Sequence, residues 1–244
     1  MKRLKQYANK RFKNLETHLA SYQQTPDVEI LHKIRVEIKK LKALLQLINY
    51  CARKFRAHKT FLPLRTIFRK AGEIRQPEVF YRLLLLYQIK GVRDESIPKA
   101  KYSDRLSKAL VKQIPIHIKS VVAQEKIVEK YVEKVTMDCI KKYLKRRKKQ
   151  LRSELYPKMR QDRLHKSRKT MKEIIYLSGI VKGGDKKLDK FYHHAEALVG
   201  QWHDRQMLTF ELIRNKKTSE VKRLTTENEA DIKHFKKIVS RYYQ

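Results

Sequence analysis

The sequence LHKIRVEIKKLKALLQLI, at residues 31–48, places apolar and basic side chains in two adjacent stripes of one predicted helix. On a helix that turns about 100° per residue, the apolar positions cover an arc of about 100°, and the basic positions cover the arc beside it. The apolar stripe contains Leu31, Ile38, Leu41, Leu45 and Ile48. The basic stripe contains His32, Arg35, Lys39 and Lys42. Because the cations lie beside the core-facing stripe, we expect their stems to lie on apolar surface and their charged ends to converge on a neighbouring element.

A row of Lys and Arg is more often the solvated face of a surface helix. Such a face normally mixes charges of both signs and uses pairs four residues apart. No acid lies on the basic stripe between His32 and Lys42, and the one nearby carboxylate, Glu37, lies away from it. We therefore interpret the stripe as the lining of a groove that binds an anion.

The same stripe occurs a second time in the other half of the chain, where His165, Arg168 and Lys172 match His32, Arg35 and Lys39 at one constant spacing. The apolar residues of the two helices also match at this spacing, so that Leu31 and Ile38 correspond to Leu164 and Met171. A second block matches at a slightly shorter spacing, in which Gly72, Arg75, Gln76 and Val79 correspond to Gly200, His203, Asp204 and Met207. We therefore predict two copies of one helical unit, at residues 1–122 and 123–244.

Apolar residues recur at helical spacing over most of the chain, with a few clear stop signals. The predicted helices lie near 2–23, 27–55, 58–75, 77–90 and 100–122, and then near 126–155, 159–181, 186–201, 203–215 and 218–242. Pro77 is expected to interrupt or kink the third helix. Residues 91–98 are a predicted loop, and Gly183-Gly184-Asp185 is a predicted turn. With only 6 Gly and 6 Pro, the chain has too few turn formers for many short strands, so the predicted fold class is all-α.

The formal net charge of +35 implies a polyanionic partner, such as nucleic acid, an anionic membrane or a chain of phosphates. With 41% hydrophobic residues, the chain is unlike a disordered polycation. Cys51 and Cys139 lack the close spacing of a disulfide scaffold or a cysteine zinc site, which favours a reducing cytoplasm. The apolar stretches are too short to cross a membrane, and the N-terminus reads as an amphipathic helix and not as a secretory signal.

These residues resemble the CHAD family, the conserved histidine α-helical domain, whose signature helix has the pattern H-x-x-R-x-x-x-K-x-x-R/K. Residues 31–48 fit it, and the second copy, LHKSRKTMKEIIYL at 164–177, is similar through Lys172 and has the family's tyrosine at Tyr176. Ile175 departs from the pattern, which requires a cation there. The segment LVGQWHDRQM at 198–207 resembles the family's L-G-x-x-x-D segment, and its first-half counterpart KAGEIRQPEV at 70–79 has Gln76 in place of the acid.

The resemblance covers nearly the whole chain and implies two pseudo-symmetric antiparallel four-helix bundles, with a basic groove or channel between them that binds inorganic polyphosphate. It also suggests association with polyphosphate granules. Polyphosphate presents charge and acceptor oxygens but no bases, so arginines can fork onto neighbouring phosphates while lysines act as point charges. The primary candidates are His32, Arg35, Lys39, Lys42, His165, Arg168 and Lys172. The secondary candidates are Arg75, Lys145, Arg147, Lys148, Tyr176 and His203.

Two of these assignments have structural alternatives. His32 and His165 also fit buried positions of a helical bundle, where a ring N–H donates to a backbone carbonyl. Tyr176 also fits a core position in which its hydroxyl has a hydrogen-bond partner. Gly72 and Gly200 are interpreted as positions of close helix packing, not as ligand contacts.

Other functions fit the sequence less well. An enzyme acting on phosphate chains needs metal carboxylates or an activated nucleophile, and neither an E-x-E-x-K pair nor a P-loop is present, because Asp185 stands where the P-loop requires Lys. His193, His194, His203 and Asp204 lack the spacing of a closed metal site, so no cofactor and no metal are expected. Non-specific nucleic-acid binding is the alternative function. A peripheral membrane protein ranks below it, and the sequence leaves the oligomeric state open.

Overall fold

The fold is described from a computed structural model at residues 2–90, 100–181 and 186–244. These residues form α-helices, one short 3₁₀ turn at Gln161–Arg163, and no strand. The predicted all-α class is therefore confirmed. The helices are α1 (Lys2–Gln24), α2 (Val28–Cys51), α3 (Ala57–Leu86), α4 (Ala100–Val132), α5 (Met137–Leu155), α6 (Leu164–Ser178), α7 (Lys186–Arg214) and α8 (Thr218–Tyr243).

The helix that carries the first basic stripe, α2, begins at a side-chain cap. The Asp27 carboxylate accepts hydrogen bonds from the backbone N–H groups of Glu29 at 2.8 Å and Ile30 at 3.1 Å. These are two of the N–H groups that have no partner within the helix, and the negative cap also favours the positive end of the helix dipole. The cap therefore fixes the residue at which α2 begins.

Three predicted helix ends are wrong, because α3, α4 and α7 continue past them. Helix α3 runs through Pro77, α4 runs past residue 122 to Val132, and α7 runs past residue 202 to Arg214. Proline removes one backbone donor from a helix interior, at a cost of about 3 kcal/mol. Ile74 and Leu84 are buried on either side of Pro77, so packing of the flanking turns compensates for that cost. The predicted boundary between the halves lies inside α4.

The described residues fall into two compact units. The first consists of 2–79 and 100–143, and the second consists of 80–90, 144–181 and 186–244. In the first unit, α1 packs against α2 and α4. Its buried face is a helical series one turn apart, namely Leu4, Ala8, Phe12, Leu15, Leu19 and Tyr22.

In the second unit, α7 packs against α6 and α8. One apolar cluster includes Met171, Ile174, Tyr192 and Phe235, and a second one includes Leu84, Leu208 and Leu224. The α6 residues of the first cluster belong to the repeated apolar stripe, as the sequence indicated. The groove that the resemblance implies between the two halves stays a prediction.

A disulfide joins Cys51, at the end of α2, to Cys139, in the first turn of α5. The Cα atoms lie 5.8 Å apart, which is ordinary disulfide geometry. The sequence-based expectation against a disulfide is therefore wrong. A separation of 88 residues carries no signal of this pairing, because the packing of the first unit alone brings the two helix ends together.

None of the helices in the described ranges has a stretch that is both long enough and apolar enough to span a bilayer. The predicted loop at 91–98 and the predicted turn at 183–185 lie outside the described residues.

Candidate anion-binding site

The first basic stripe faces α3 within the first unit. We define the first cation cluster as His32, Arg35, Lys39 and Lys42 on α2 together with Arg75 on α3. Two phenylalanines of α3 organise it, because the Lys42 ammonium lies 5.3 Å from the ring centroid of Phe61 and the Lys39 ammonium lies 5.9 Å from that of Phe68. His32 is half-buried on the same face of α2. The predicted convergence of the stripe on a neighbouring helix is thus observed.

Arg35 is held at the centre of this cluster by α3. Its Nη1 donates a hydrogen bond to the carbonyl oxygen of Phe68, and its guanidinium carbon lies 3.9 Å from the centroid of the Phe68 ring. Burial and the nearby Arg75 guanidinium lower the pKa of Arg35. Of the carboxylates in the described ranges, none forms an ion pair with Arg35. A partly desolvated cation next to a second cation is stabilised by any anion that comes between them.

Gly72 makes this position of Arg35 possible. The guanidinium lies directly over the glycine, so that a Cβ at residue 72 would overlap Arg35 Nη1. Gly72 was expected to allow close helix packing, and it does so by admitting an arginine side chain.

Replacing Gly72 with Ala is expected to weaken anion binding with only a small net change in stability. The new methyl group must push the Arg35 guanidinium out of its place, while alanine gains about 1 kcal/mol of helix propensity over glycine. Binding isotherms and thermal melts of the wild type and Gly72→Ala test this. The matched control is Gly179→Ala, because a Cβ at residue 179 meets nothing within 4 Å. Unchanged affinity of Gly72→Ala would show that Arg35 does not act from this position.

The second basic stripe faces α7 within the second unit. We define the second cation cluster as His165, Arg168 and Lys172 on α6 together with His203 on α7. Arg168 lies over Gly200, where a Cβ would come within 2.9 Å of its Nη2. The contact between Arg35 and Gly72 therefore has a counterpart at the positions that the two sequence spacings match.

A carboxylate occupies the second cluster. Arg168 Nε donates to Glu196 Oε1 at 2.9 Å, and Lys172 Nζ lies 3.0 Å from the same oxygen. Burial raises the pKa of Glu196, but Lys172 and Arg168 more than offset this and hold it below its usual range. Glu196 is therefore ionised at neutral pH and neutralises part of the charge of the cluster.

The histidines of the second cluster form a pair. The rings of His165 and His203 lie 4.6 Å apart, centroid to centroid. Burial is the main cause that lowers the pKa of His165, with contributions from Lys169, His203 and Arg168. Burial and Arg168 likewise lower the pKa of His203, against an opposing effect of Asp204. Both imidazoles are therefore neutral at pH 7 when no anion is bound.

Polyanion affinity is expected to strengthen as the pH falls from about 8 to about 6. Burial and the surrounding cations lower the pKa of His165 and His203, and a bound anion raises it again by favouring the imidazolium form. Both histidines therefore take up protons on binding. Isotherms at constant ionic strength should show a smaller pH slope for His165→Gln/His203→Gln than for the wild type. The control is His193→Gln/His194→Gln, which changes two exposed histidines of α7. An equal slope in all three proteins would contradict a contact between the pair and the ligand.

The lowered pKa of each of these two histidines also determines how the stability of the free protein changes with pH. A histidine whose pKa is lowered in the folded state contributes stability above its ordinary value of 6.5 and loses it as the pH falls through the folded value. The melting temperature of the free protein should therefore decrease below about pH 6.5, and a bound polyanion should reduce that decrease.

Of the secondary candidates, Arg75 and His203 belong to the clusters, and Arg147 has partners within its own unit. Arg147 donates to the buried carboxylate of Glu173 at 2.6 Å and to Gln150 at 2.6 Å. Lys145 is exposed and Lys148 is half-buried on α5, and Tyr176 is half-buried on α6. Ligand contacts of Lys145, Lys148 and Tyr176 stay predictions, and Arg147 can reach an anion only by leaving Glu173.

Other cations are committed to the core of their unit. Glu37, which is 5% exposed, accepts hydrogen bonds from Arg11 at 3.2 Å and Lys40 at 2.9 Å. Arg205, which is 8% exposed, donates to Asn228 at 3.1 Å and to Asp231 at 2.7 Å. Paired buried charges of this kind are costly to break. These pairs therefore distinguish the cations that stabilise the fold from the cations of the two clusters.

Sequence reasoning missed the two residues that differ most between the clusters, Phe68 and Glu196. A signal for them was present, because the shorter repeat spacing, which aligns Gly72 with Gly200, also aligns Phe68 with Glu196. Each lies one helical turn before its glycine, on the side of α3 or α7 that contacts the arginine. Within the described ranges, no group of three His, Cys, Asp or Glu residues is arranged to hold a metal ion.

Comparison with known proteins identifies a family. The family model of the CHAD domain matches residues 6–212. No curated protein and no solved structure matches the chain.

Proposed function

The chain belongs to the CHAD domain family, and on that premise we propose that it binds inorganic polyphosphate through its two cation clusters without transforming it. The observation that carries the proposal is the state of Arg35. Its guanidinium is half-buried beside Arg75, and its described contacts are the ring and the carbonyl of Phe68. Such an arrangement is stabilised by an incoming anion more than by water alone.

The chemistry of the clusters suits a chain of phosphates. Arginine offers five N–H donors in a fixed fork, and the hydrogen bond to Phe68 accounts for one donor of Arg35. Lys39 and Lys42 continue the row along α2, so that successive cations meet successive phosphates of an extended ligand. The phenylalanine rings beneath these cations reduce their hydration and thereby strengthen their attraction to an anion.

Nucleic acid is the second candidate, and the net charge of +35 favours it. Exposed cations outside the clusters, such as Lys145 and Arg146 on α5, attract any phosphate backbone. The Phe61 and Phe68 rings of the first cluster lie against Lys42, Lys39 and Arg35, so cations occupy the faces on which bases would stack in an RNA-binding module. We therefore expect nucleic acid to bind more weakly per phosphate than polyphosphate.

Side-by-side isotherms test the proposal. Long-chain polyphosphate, duplex DNA and heparin are titrated at equal concentrations of negative charge and the same ionic strength. We expect polyphosphate to bind most tightly, and the substitutions Arg35→Ala and Arg168→Ala to weaken it more than they weaken DNA. Equal affinities per charge for all three ligands would leave a non-specific polyanion binder and overturn the proposal.

A cytoplasmic location, with association to polyphosphate granules, is part of the same proposal. The support is the family alone, because granules are where this ligand accumulates. The Cys51–Cys139 disulfide favours an oxidising compartment instead, because disulfides are uncommon in a reducing one. Fluorescent labelling of the protein together with a stain for polyphosphate would test the location directly.

A further inference from the structure

The two cation clusters share their scaffold but differ at one matched position. In both, an arginine of the signature helix lies over a glycine of the next helix. One turn before that glycine, the first cluster has Phe68, whose ring lies against Arg35, and the second has Glu196, whose carboxylate pairs with Arg168. The same location next to the arginine is therefore apolar in one cluster and anionic in the other.

We infer that Phe68 and Glu196 give the two clusters unequal affinities for polyphosphate, because Arg35 is open to the ligand while Arg168 is paired with a carboxylate of its own unit. The inference rests on the proposed function. It assigns Glu196 as an internal competitor of the ligand and Phe68 as the residue that keeps the first cluster available.

Displacing Glu196 from Arg168 has a cost that has no counterpart at Arg35. Glu196 is 20% exposed at its side chain, as is Arg168, and Lys172 is 26% exposed. A contact this sheltered is weakly screened by solvent. A polyanion that takes over Arg168 and Lys172 must also leave a negatively charged Glu196 beside it. Since Glu196 is ionised at neutral pH, this repulsion acts under ordinary conditions.

Two further matched positions increase the difference. Lys42 corresponds to Ile175 at the longer repeat spacing, and Arg75 corresponds to His203 at the shorter one. His203 is neutral at pH 7 because burial and Arg168 lower its pKa. The second cluster therefore offers fewer permanent cations as well as a competing anion.

A different role for Glu196 makes the opposite prediction. If its carboxylate only orients Arg168 for the ligand, its removal weakens binding. If it competes with the ligand, its removal strengthens binding. Glu196→Gln distinguishes the two roles, because glutamine keeps the shape and one acceptor oxygen but removes the charge.

The experiment uses tripolyphosphate as a short probe, with each cluster measured in a chain whose other arginine is replaced. In the Arg35→Ala background, Glu196→Gln is expected to raise the affinity at least about tenfold, since a like charge beside the ligand is removed. In the Arg168→Ala background, Phe68→Glu is expected to lower it by about the same factor. Glu229→Gln, an exposed carboxylate of α8 in the same unit as Glu196, controls for the change in net charge.

The outcomes separate this inference from the proposed function. Tighter binding by Glu196→Gln, with little change in Glu229→Gln, supports the competitor role. Weaker or unchanged binding by Glu196→Gln, while the wild type still binds polyphosphate, overturns the inference and leaves the proposed function intact. Absence of polyphosphate binding by the wild type overturns both. Since Glu196→Gln is nearly isosteric, the conclusion does not depend on the folding of Phe68→Glu.

Discussion

Polyphosphate affinity is expected to fall about a thousandfold between about 50 and 200 mM NaCl. The two clusters and their exposed neighbours bring several cations to the ligand, and each phosphate that is neutralised releases a condensed counterion into the solution. The free energy of that release decreases as the salt concentration rises, so the logarithm of the association constant falls linearly with the logarithm of the salt concentration. Titrations over this range at constant pH measure the slope.

The slope also counts the cations that contact phosphate. Replacing Arg35 with Ala should make it shallower by about one unit, because one phosphate contact is lost. Replacing Arg3, an exposed arginine near the start of α1 in the same unit, should change it much less. A flat salt response of the wild type would contradict an electrostatic site, and an equal change in both variants would assign the binding to the overall charge and not to the first cluster.

The helices and the basic stripes could be predicted because they depend on local spacing. On α2, the residues expected to face the core, from Leu31 to Ile48, are buried. Arg35 and Lys39 lie at the edge of that face, as their positions on the helix required. The continuation of α3 through Pro77 depends instead on the packing of the neighbouring turns, which periodicity does not reveal.

The identity of the partners within the clusters could not be predicted in the same way. Composition shows an excess of cations but not which of them pair with carboxylates of their own unit, as Arg147 does with Glu173 and Arg205 does with Asp231. Each pair joins two consecutive helices, and its members are 26 residues apart, so the periodicity within one helix does not reveal it. The difference between Phe68 and Glu196 was readable from the repeat alignment, but its meaning depends on the contact that each makes with the arginine.

Replacing Arg35 with Ala is expected to weaken polyphosphate binding by about 1–3 kcal/mol, which is roughly five- to more than a hundredfold. Replacing Arg168 with Ala is expected to weaken it less, because Glu196 already pairs with Arg168. Each arginine is the half-buried centre of its cluster, where a charge-assisted hydrogen bond to phosphate is stronger than at an exposed site. Isothermal titration of both variants at low salt tests the values. Arg3→Ala and Arg241→Ala, which remove an exposed arginine from the first and the second unit respectively, provide controls with the same change in net charge.

Both arginine variants should remain nearly as stable as the wild type, which separates binding from folding. Arg35→Ala loses the hydrogen bond to Phe68 and the cation–π contact, together worth about 1–2 kcal/mol, but it also relieves the repulsion from Arg75. Arg168→Ala leaves Glu196 paired with Lys172, so a small decrease in melting temperature is expected for both. If either variant instead loses its helical circular dichroism signal at 25 °C, that arginine is required for folding and its loss of binding says nothing about ligand contact. If both stay folded and bind as tightly as Arg3→Ala and Arg241→Ala, the clusters are not the binding site.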